Sequence, residues 1–181
     1  MCHILLHDPN FFSMLLRIDG ELADQCRAQR CPCGGMLHKA NFARKPRGCP
    51  IEVRADFELR FSFCCSICRK RTTAMSVRFL GRRVYLALAV VLMSARRAGP
   101  TSTQMQLSAM LGVPVRTLLR WQSWWTESFP ATQLWQAESA RFMPPVSTSA
   151  LPTSLIERFS SAAAESMARL LAFLSPLSVR Q

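Results

Sequence analysis

The sequence lacks the features that mark exported and membrane-spanning proteins. Residues 1–13 include His7, Asp8 and Pro9, where an export signal would hold a continuous apolar run. The apolar run at residues 84–93 is ten residues long and lies between two arginine pairs, so it is too short to cross a bilayer. We therefore expect a cytoplasmic protein, in which the eight cysteines stay reduced and bind metal rather than form disulfides.

Acidic residues are scarce, and the sequence offers no arrangement of catalytic side chains. Beyond Arg97 the acids are four glutamates, none of them on a predicted strand: Glu127, Glu138, Glu157 and Glu165. A two-metal nuclease needs clustered carboxylates. The sequence also has no glycine loop for phosphate, and its histidines, His3, His7 and His38, fit no Ser-His-Asp pattern. We therefore predict a protein without catalytic activity.

Positive charge is abundant and is concentrated in the middle of the chain. The formal net charge is +12, and residues 27–100 carry 16 Lys and Arg against three acids, Glu52, Asp56 and Glu58. The basic residues of the whole chain are 20 Arg and 3 Lys, and the planar guanidinium group matches phosphate oxygens bidentately. This balance favours a nucleic acid as partner, against the alternative of a merely solvated basic surface.

Residues 51–65 show the clearest periodic pattern. Apolar and polar residues alternate throughout, which predicts a strand or hairpin with one covered face. The residues predicted on that face are Ile51, Val53, Ala55, Phe57, Leu59, Phe61, Phe63 and Cys65. Cys65 is thus in phase with the covered side and Cys64 is not. Residues 72–80 are expected to return as a partner strand.

Two cysteine pairs at predicted turns indicate a metal site. Cys65 and Cys68 are separated by two residues, whereas Cys31 and Cys33 are separated by one and followed by two glycines that let the backbone curl around an ion. Zinc takes four thiolates in a structural site, so we predict that these four cysteines bind Zn²⁺. The short Cys-x-Cys spacing leaves other ligands open in place of one of them: Cys26, His38, Cys49 or Cys64. A redox pair and ordinary buried cysteines are the alternative interpretations.

The rest of the pattern divides the chain into mostly helical segments. We predict a helical segment at 1–30, with Asp19 as the cap of a helix that begins at Glu21; Met14 is an alternative start of translation. We further predict a zinc-ribbon-like β domain at 31–80, a helix-turn-helix domain at 81–126, an additional helix at 127–143, a linker at 144–154 and an amphipathic helix at 155–181. The last helix is expected to serve a homodimer or bind a protein partner.

Residues 101–125 predict two short helices around a tight turn. Gly112 tolerates a positive φ at the turn, and Pro114 suits the first turn of the second helix. If Leu118, Trp121 and Trp125 face inward, the other side chains of this helix can contact base edges or phosphates in the major groove of DNA. The side chains expected to do so are Arg116, Thr117, Arg120 and Ser123. The alternative is a plain helical hairpin with a tryptophan-rich core.

The segments CPCGG, FSFCCSICRKRTT and GVPVRTLLRW together resemble the zinc-ribbon and helix-turn-helix modules at the front of bacterial transposases and related mobile-element proteins. The resemblance covers residues 26–126 and implies an α+β fold, with a small antiparallel zinc-ribbon sheet, a trihelical helix-turn-helix and C-terminal helices. It also implies binding to double-stranded DNA. From the basic charge in the middle of the chain we expect further DNA contacts by Arg69, Lys70, Arg71, Arg82 and Arg83. We therefore expect a non-catalytic accessory or regulator of a mobile element. The alternative is a protein-interaction adaptor in which zinc only stabilises the fold.

Overall fold

The computed structural model describes residues 5–80, 87–94, 105, 108–109, 112–159 and 162–179. It is an α+β protein in which short antiparallel strands follow a long N-terminal helix and precede a series of further helices. The helices are α1 (Pro9–Ala28), α2 (Ala87–Ser94), α3 (Val115–Ser123), α4 (Gln133–Glu138), α5 (Thr153–Ile156) and α6 (Ala163–Leu174). The strands are β1 (Leu37–Lys39), β2 (Phe42–Ala43), β3 (Leu59–Arg60), β4 (Ser62–Cys65) and β5 (Arg71–Thr73). Within the described ranges, no helix has the length and apolar character that a bilayer crossing needs.

Helix α1 begins earlier than the sequence predicts. Asp8 is its N-cap: the carboxylate accepts a hydrogen bond from the Asn10 backbone N–H at 2.9 Å, and Pro9 occupies the first turn, where a missing N–H is tolerated. The predicted cap, Asp19, lies instead in the middle of the helix and is fully buried. That prediction was wrong because Asp19 pairs with Arg78, a residue far away in sequence that no local pattern reveals.

The strands form two small antiparallel sheets. In the first, β4 lies between β1 and β5, with Leu37 opposite Cys65 and Cys64 opposite Arg71. In the second, β2 pairs with β3. Because β1 follows the first cysteine turn and β4 leads into the second, the pairing of these two strands brings the two turns together.

The strand predicted for residues 51–65 is much shorter than the alternation implies. Residues 51–57 form two 3₁₀ turns, and Ile51, predicted to be covered, is 74% exposed. In β3 and β4, Arg60 and Ser62 are buried although they belong to the side predicted to face solvent. Each of these side chains donates a hydrogen bond of 2.6 Å to a backbone carbonyl, which allows a polar group to be buried. Alternation therefore placed Phe57, Phe63 and Cys65 correctly on the buried side but misassigned Ile51, Arg60 and Ser62.

The described apolar residues form two clusters. The smaller one lies on the three-stranded sheet and consists of Ala23, Cys31, Leu37, Phe63, Cys65 and Ala74. The larger one contains most of the buried apolar side chains of the helices. Helix α1 joins the two, since Leu15 belongs to the larger cluster and Ala23 to the smaller.

Aromatic side chains fill the centre of the larger cluster. Trp125 lies in a π-helical turn that continues α3 and is fully buried. The ring centroids of Trp125 and Phe129 are 4.9 Å apart, and those of Phe129 and Trp135 are 5.2 Å apart. The additional helix predicted at 127–143 is divided into 3₁₀ turns on either side of α4. Thr132 caps α4 by accepting a hydrogen bond from the Trp135 N–H.

The C-terminal part of the chain packs into this larger cluster. Val146 and Leu151 are buried, so the segment predicted to be a linker contributes to the core. The apolar stripe of the predicted amphipathic helix is divided between α5 and α6, and its buried members include Leu155, Met167, Leu170 and Leu171. The stripe that was expected to bind a partner is therefore covered by this same chain.

Candidate metal centre and basic helix

The first cysteine turn is closed by its own backbone. The Cys31 N–H donates to the Gly35 carbonyl oxygen at 3.0 Å, and the Gly34 N–H donates to the Cys31 carbonyl oxygen at 2.8 Å. Gly34 has a φ of +84°, which a residue without a Cβ adopts freely. The turn thus has the curled shape that the two glycines predict.

The second cysteine turn follows β4 directly. The Cys65 N–H donates to the Lys70 carbonyl oxygen at 3.0 Å, closing the loop that carries Cys68. Arg69 has a φ of +58°, which is uncommon for a residue with a side chain. The Ile67 N–H donates to the Cys65 sulfur at 3.4 Å. These contacts fix the shape of the second turn, and the Ser66 N–H, which donates to the Met36 carbonyl oxygen at 2.9 Å, holds it against the chain that follows the first turn.

The structure brings together the four cysteines on which the sequence prediction rests. The sulfurs of Cys31, Cys33, Cys65 and Cys68 all lie within 4.8 Å of one another. Two of the separations are shorter: Cys31 and Cys68 are 3.5 Å apart, and Cys33 and Cys65 are 3.4 Å apart. All are far longer than the roughly 2.0 Å of a disulfide, and the cysteines are free. The arrangement could hold a metal ion.

Backbone amides favour ionisation at this centre. Burial raises the pKa of the Cys65 thiol, but hydrogen bonds from the Cys68 and Ile67 N–H groups help lower that pKa to about 6. The Cys33 N–H acts in the same direction on Cys31, yet burial and the neighbouring thiols together raise the Cys31 pKa to about 12. The sulfurs of Cys31, Cys33 and Cys65 therefore do not ionise independently. A cation that binds all four must displace the remaining protons.

The alternative ligands do not join the four-cysteine group within the described part of the chain. Cys49 lies in the larger cluster, where burial raises its thiol pKa to about 12. Cys64 donates a hydrogen bond to the Arg69 carbonyl oxygen at 3.5 Å. His38 is exposed, and burial raises the pKa of Cys26, which packs against the smaller cluster. The preference for Cys65 over Cys64 agrees with this geometry.

The sequence predicts that Gly35 lets the backbone curl, but it does not show that Gly35 lies against the cysteine group. A Cβ at this position would overlap the Cys65 sulfur and approach the Ile67 side chain to 3.2 Å. We expect Gly35→Ala to lower metal affinity about 10- to 100-fold, because it displaces a ligand atom without removing it. Competition with a chelator of known affinity measures the change.

Gly20→Ala is the matched control for this prediction. Gly20 lies in α1, and a Cβ there would meet no atom within 4 Å. This exchange should stabilise the protein by up to about 1 kcal/mol while leaving metal affinity unchanged. Equal metal affinity in the two variants would contradict the close approach at Gly35.

The helix predicted to contact DNA is α3, and its inward face agrees with the prediction. Leu118, Trp121 and Trp125 are all buried. Gly112 has a φ of +60° at the preceding turn. Most of the first predicted helix lies outside the described residues; of it, Met105, Ser108 and Ala109 are helical.

One of the four residues predicted to face outward on α3 does not. Thr117 is buried, and its Oγ1 accepts a hydrogen bond from Arg120 Nη2 at 3.1 Å. Arg116, Arg120 and Ser123 are exposed. Because an α-helix turns about 100° per residue, Thr117 lies next to Leu118 on the covered side of α3, and its hydroxyl contacts Arg120.

The basic residues near the cysteine group differ in their exposure and in their side-chain contacts. Arg69 and Lys70 are exposed. The Arg71 guanidinium donates to Ser62 Oγ at 2.8 Å and lies over the Phe42 ring, so it is partly engaged in holding the sheets. Arg82 and Arg83, which were also predicted to contact DNA, lie outside the described residues.

Two exposed residues of α3 were missed by the sequence reasoning. Val115 is 41% exposed and Leu119 is 59% exposed, on the side of the helix that carries Arg116 and Arg120. The prediction for this helix named only polar side chains as outward and so left out both residues. Their four-residue spacing, out of phase with Leu118, was the available signal.

Comparison with known proteins adds no assignment to this geometry. No protein-family model matches the chain, and neither a curated protein nor a solved structure does.

Proposed function

We propose that the four cysteines bind one zinc ion in a structural site. At a zinc–sulfur distance of about 2.3 Å, tetrahedral geometry separates the sulfurs by about 3.8 Å. The separations of 3.4 and 3.5 Å, with every other pair inside 4.8 Å, need only small shifts to reach that value. Four thiolates fill the coordination sphere, so the ion holds the two turns together and has no open position for a substrate.

We propose further that the protein binds double-stranded DNA through α3, as a non-catalytic accessory or regulator of transposase type. The observation that supports this most directly is the exposure of Arg116 and Arg120 on one side of a helix whose other side is anchored by Leu118 and Trp121. Residues 112–126 contain no acidic side chain, which suits a polyanionic partner. Arg69 and Lys70 of the zinc ribbon would add phosphate contacts. Paired half-sites would follow if the protein forms a dimer.

The alternative, a protein-interaction adaptor, has less support. Its expected contact surface was the apolar stripe of the last helices, and Leu155, Leu170 and Leu171 of that stripe are buried in the chain's own core. Removing this segment would therefore unfold the core rather than delete a free binding surface. We prefer DNA binding because its expected contact residues, Arg116 and Arg120, are exposed.

A salt titration of DNA binding tests the proposal. A protein that neutralises about six phosphates loses about 10³-fold in affinity between 50 and 200 mM salt. We expect a dependence of this size with a duplex oligonucleotide, measured by fluorescence anisotropy. We also expect Arg116→Ala and Arg120→Ala to reduce the preference between duplex sequences, whereas Lys70→Ala should weaken all of them about equally.

The control is Arg169→Ala, which changes the net charge by the same amount. Arg169 lies on α6 and pairs with Glu165 four residues earlier, at 2.5 Å. Its replacement should leave both affinity and sequence preference unchanged. A flat salt response would reject DNA binding, and equal effects of Arg169→Ala and Arg116→Ala would reject α3 as the contact surface.

A further inference from the structure

The exposed side of α3 carries two short rows of side chains. Val115 and Leu119 form an apolar row, 41% and 59% exposed, and Arg116 and Arg120 form a cationic row beside it. Each row is made by residues four apart, which lie one above the other on a helix. Leu118 and Trp121 are buried on the other side of the helix and fix its rotation. Neither row can therefore turn inward.

Single exposed apolar residues are ordinary on protein surfaces, but this pair lies directly beside Arg116 and Arg120. In the major groove, thymine presents a C5-methyl group, and guanine presents two acceptors to arginine. We propose that Val115 and Leu119 contact thymine methyl groups in the major groove, next to the bases or phosphates bound by Arg116 and Arg120. This inference rests on the proposed DNA-binding function and names the base that the helix prefers.

The charge of this face suits duplex DNA as the occupant, because Arg116 and Arg120 are exposed on it and residues 112–126 carry no acid. The nearest acid in sequence, Glu127, lies beyond the end of α3 and accepts a hydrogen bond from Ser123 Oγ at 2.8 Å. The B-form major groove is about 12 Å wide and admits a helix. Arg120 is also held in place by its 3.1 Å bond to the buried Thr117, so it loses less side-chain freedom on binding.

The same chemistry discriminates against RNA. The major groove of an RNA helix is deep and narrow, so a side chain on α3 cannot reach its base edges. Uracil also lacks the C5-methyl group that distinguishes thymine. The apolar row is therefore useful only on a thymine-containing duplex.

Removing single thymine methyl groups tests this directly. The probe is the duplex recovered with highest affinity from a randomised DNA library, resynthesised with each thymine in turn replaced by deoxyuridine. At one or two positions, we expect the wild-type protein to bind the deoxyuridine duplex about fourfold more weakly, as expected for one buried methyl group. Leu119→Ala or Val115→Ala should bind the two duplexes equally at the corresponding position.

Met143→Ala is the matched control, because Met143 is an apolar residue that is 82% exposed and lies outside α3. It should keep the fourfold discrimination. Leu119→Gln provides a second variant of the same position, and near-ultraviolet circular dichroism verifies that each variant keeps its tryptophan packing. Both Leu119 variants should lose the discrimination.

The outcomes separate the two proposals. If the wild-type protein binds no duplex from the library, the proposed function fails and this inference fails with it. If it binds, but deoxyuridine weakens the wild type and all the variants by the same factor, DNA binding stands and the thymine contact is overturned. A wild type that is insensitive to deoxyuridine at every position overturns the contact as well.

Discussion

Cys65→Ser is expected to abolish metal binding and unfold the three-stranded sheet. A serine hydroxyl does not ionise near neutral pH, so the site loses one of its four anionic ligands. Structural zinc sites contribute about 10–16 kcal/mol to folding in small peptides, which is as large as the total stability of most domains. Bound metal should fall from about one ion per chain to near zero, measured by elemental analysis of the purified protein.

The position of Cys65 makes this effect large. The smaller cluster contains six buried residues, and two of them, Cys31 and Cys65, are themselves in the cysteine group. Such a core is too small to hold a sheet without a metal or another cross-link. Hydrogen exchange should therefore show β1, β4 and β5 unprotected in the variant.

The rest of the chain provides an internal reference for the same measurement. All four tryptophans, Trp121, Trp124, Trp125 and Trp135, lie in the helical part. Their near-ultraviolet circular dichroism should persist after the sheet unfolds. Cys64→Ser is the control, since Cys64 neighbours Cys65 but lies outside the cysteine group. Full metal content in Cys65→Ser, or metal loss in Cys64→Ser, would contradict the assignment of ligands.

The cysteine centre could be predicted because its signals are local. Each turn is encoded within a few residues: Cys31 and Cys33 with the glycines after them, and Cys65 and Cys68 two residues apart. Only the association of the two turns is long-range. It could still be predicted, because a zinc ion takes four ligands and each turn offers two. The inward face of α3 was predictable for a similar reason, because Leu118 and Trp121 repeat at helical spacing.

The polar core could not be predicted in this way. Burial of Arg60 depends on carbonyl and hydroxyl oxygens of Ala74 and Ser178, which are 14 and 118 residues away. Ser76 also donates its N–H to Ser178 Oγ at 2.9 Å. An alternating pattern assigns polar side chains to the solvent side, because it contains no information about hydrogen-bond partners that are distant in sequence. The misassigned burial of Arg60 and Ser62 and the misplaced cap at Asp19 have this one cause.

Asp19→Ala is expected to destabilise the protein by about 3–5 kcal/mol, the usual cost of leaving one partner of a buried ion pair alone. The Asp19 carboxylate and the Arg78 side chain are both 0% exposed, and Arg78 Nε donates to Asp19 Oδ2 at 2.6 Å. The same carboxylate accepts hydrogen bonds from the Ser76 hydroxyl at 2.5 Å and the Val77 N–H at 2.7 Å. Alanine would leave a buried cation and two buried donors without their acceptor.

The remaining contacts of Arg78 explain why it cannot move to solvent in such a variant. Its Nη1 and Nη2 groups donate to the Asp56 and Leu59 carbonyl oxygens at 3.1 and 3.0 Å, and its guanidinium lies over the Phe57 ring at 5.3 Å. The Arg78 guanidinium therefore stays buried in the variant, and the loss of Asp19 raises the free energy of the folded state.

Thermal unfolding measures the effect and a set of variants identifies its source. A loss of this size should lower Tm by roughly 10 °C in a chain of this length. Asp24→Ala, an exposed aspartate on the same helix, should leave Tm nearly unchanged. Replacing both partners with apolar residues, Asp19→Leu with Arg78→Met, should be less harmful than Asp19→Ala alone, because it removes the uncompensated charge. If Asp19→Ala and Asp24→Ala unfold at the same temperature, the ion pair does not hold α1 to the sheets.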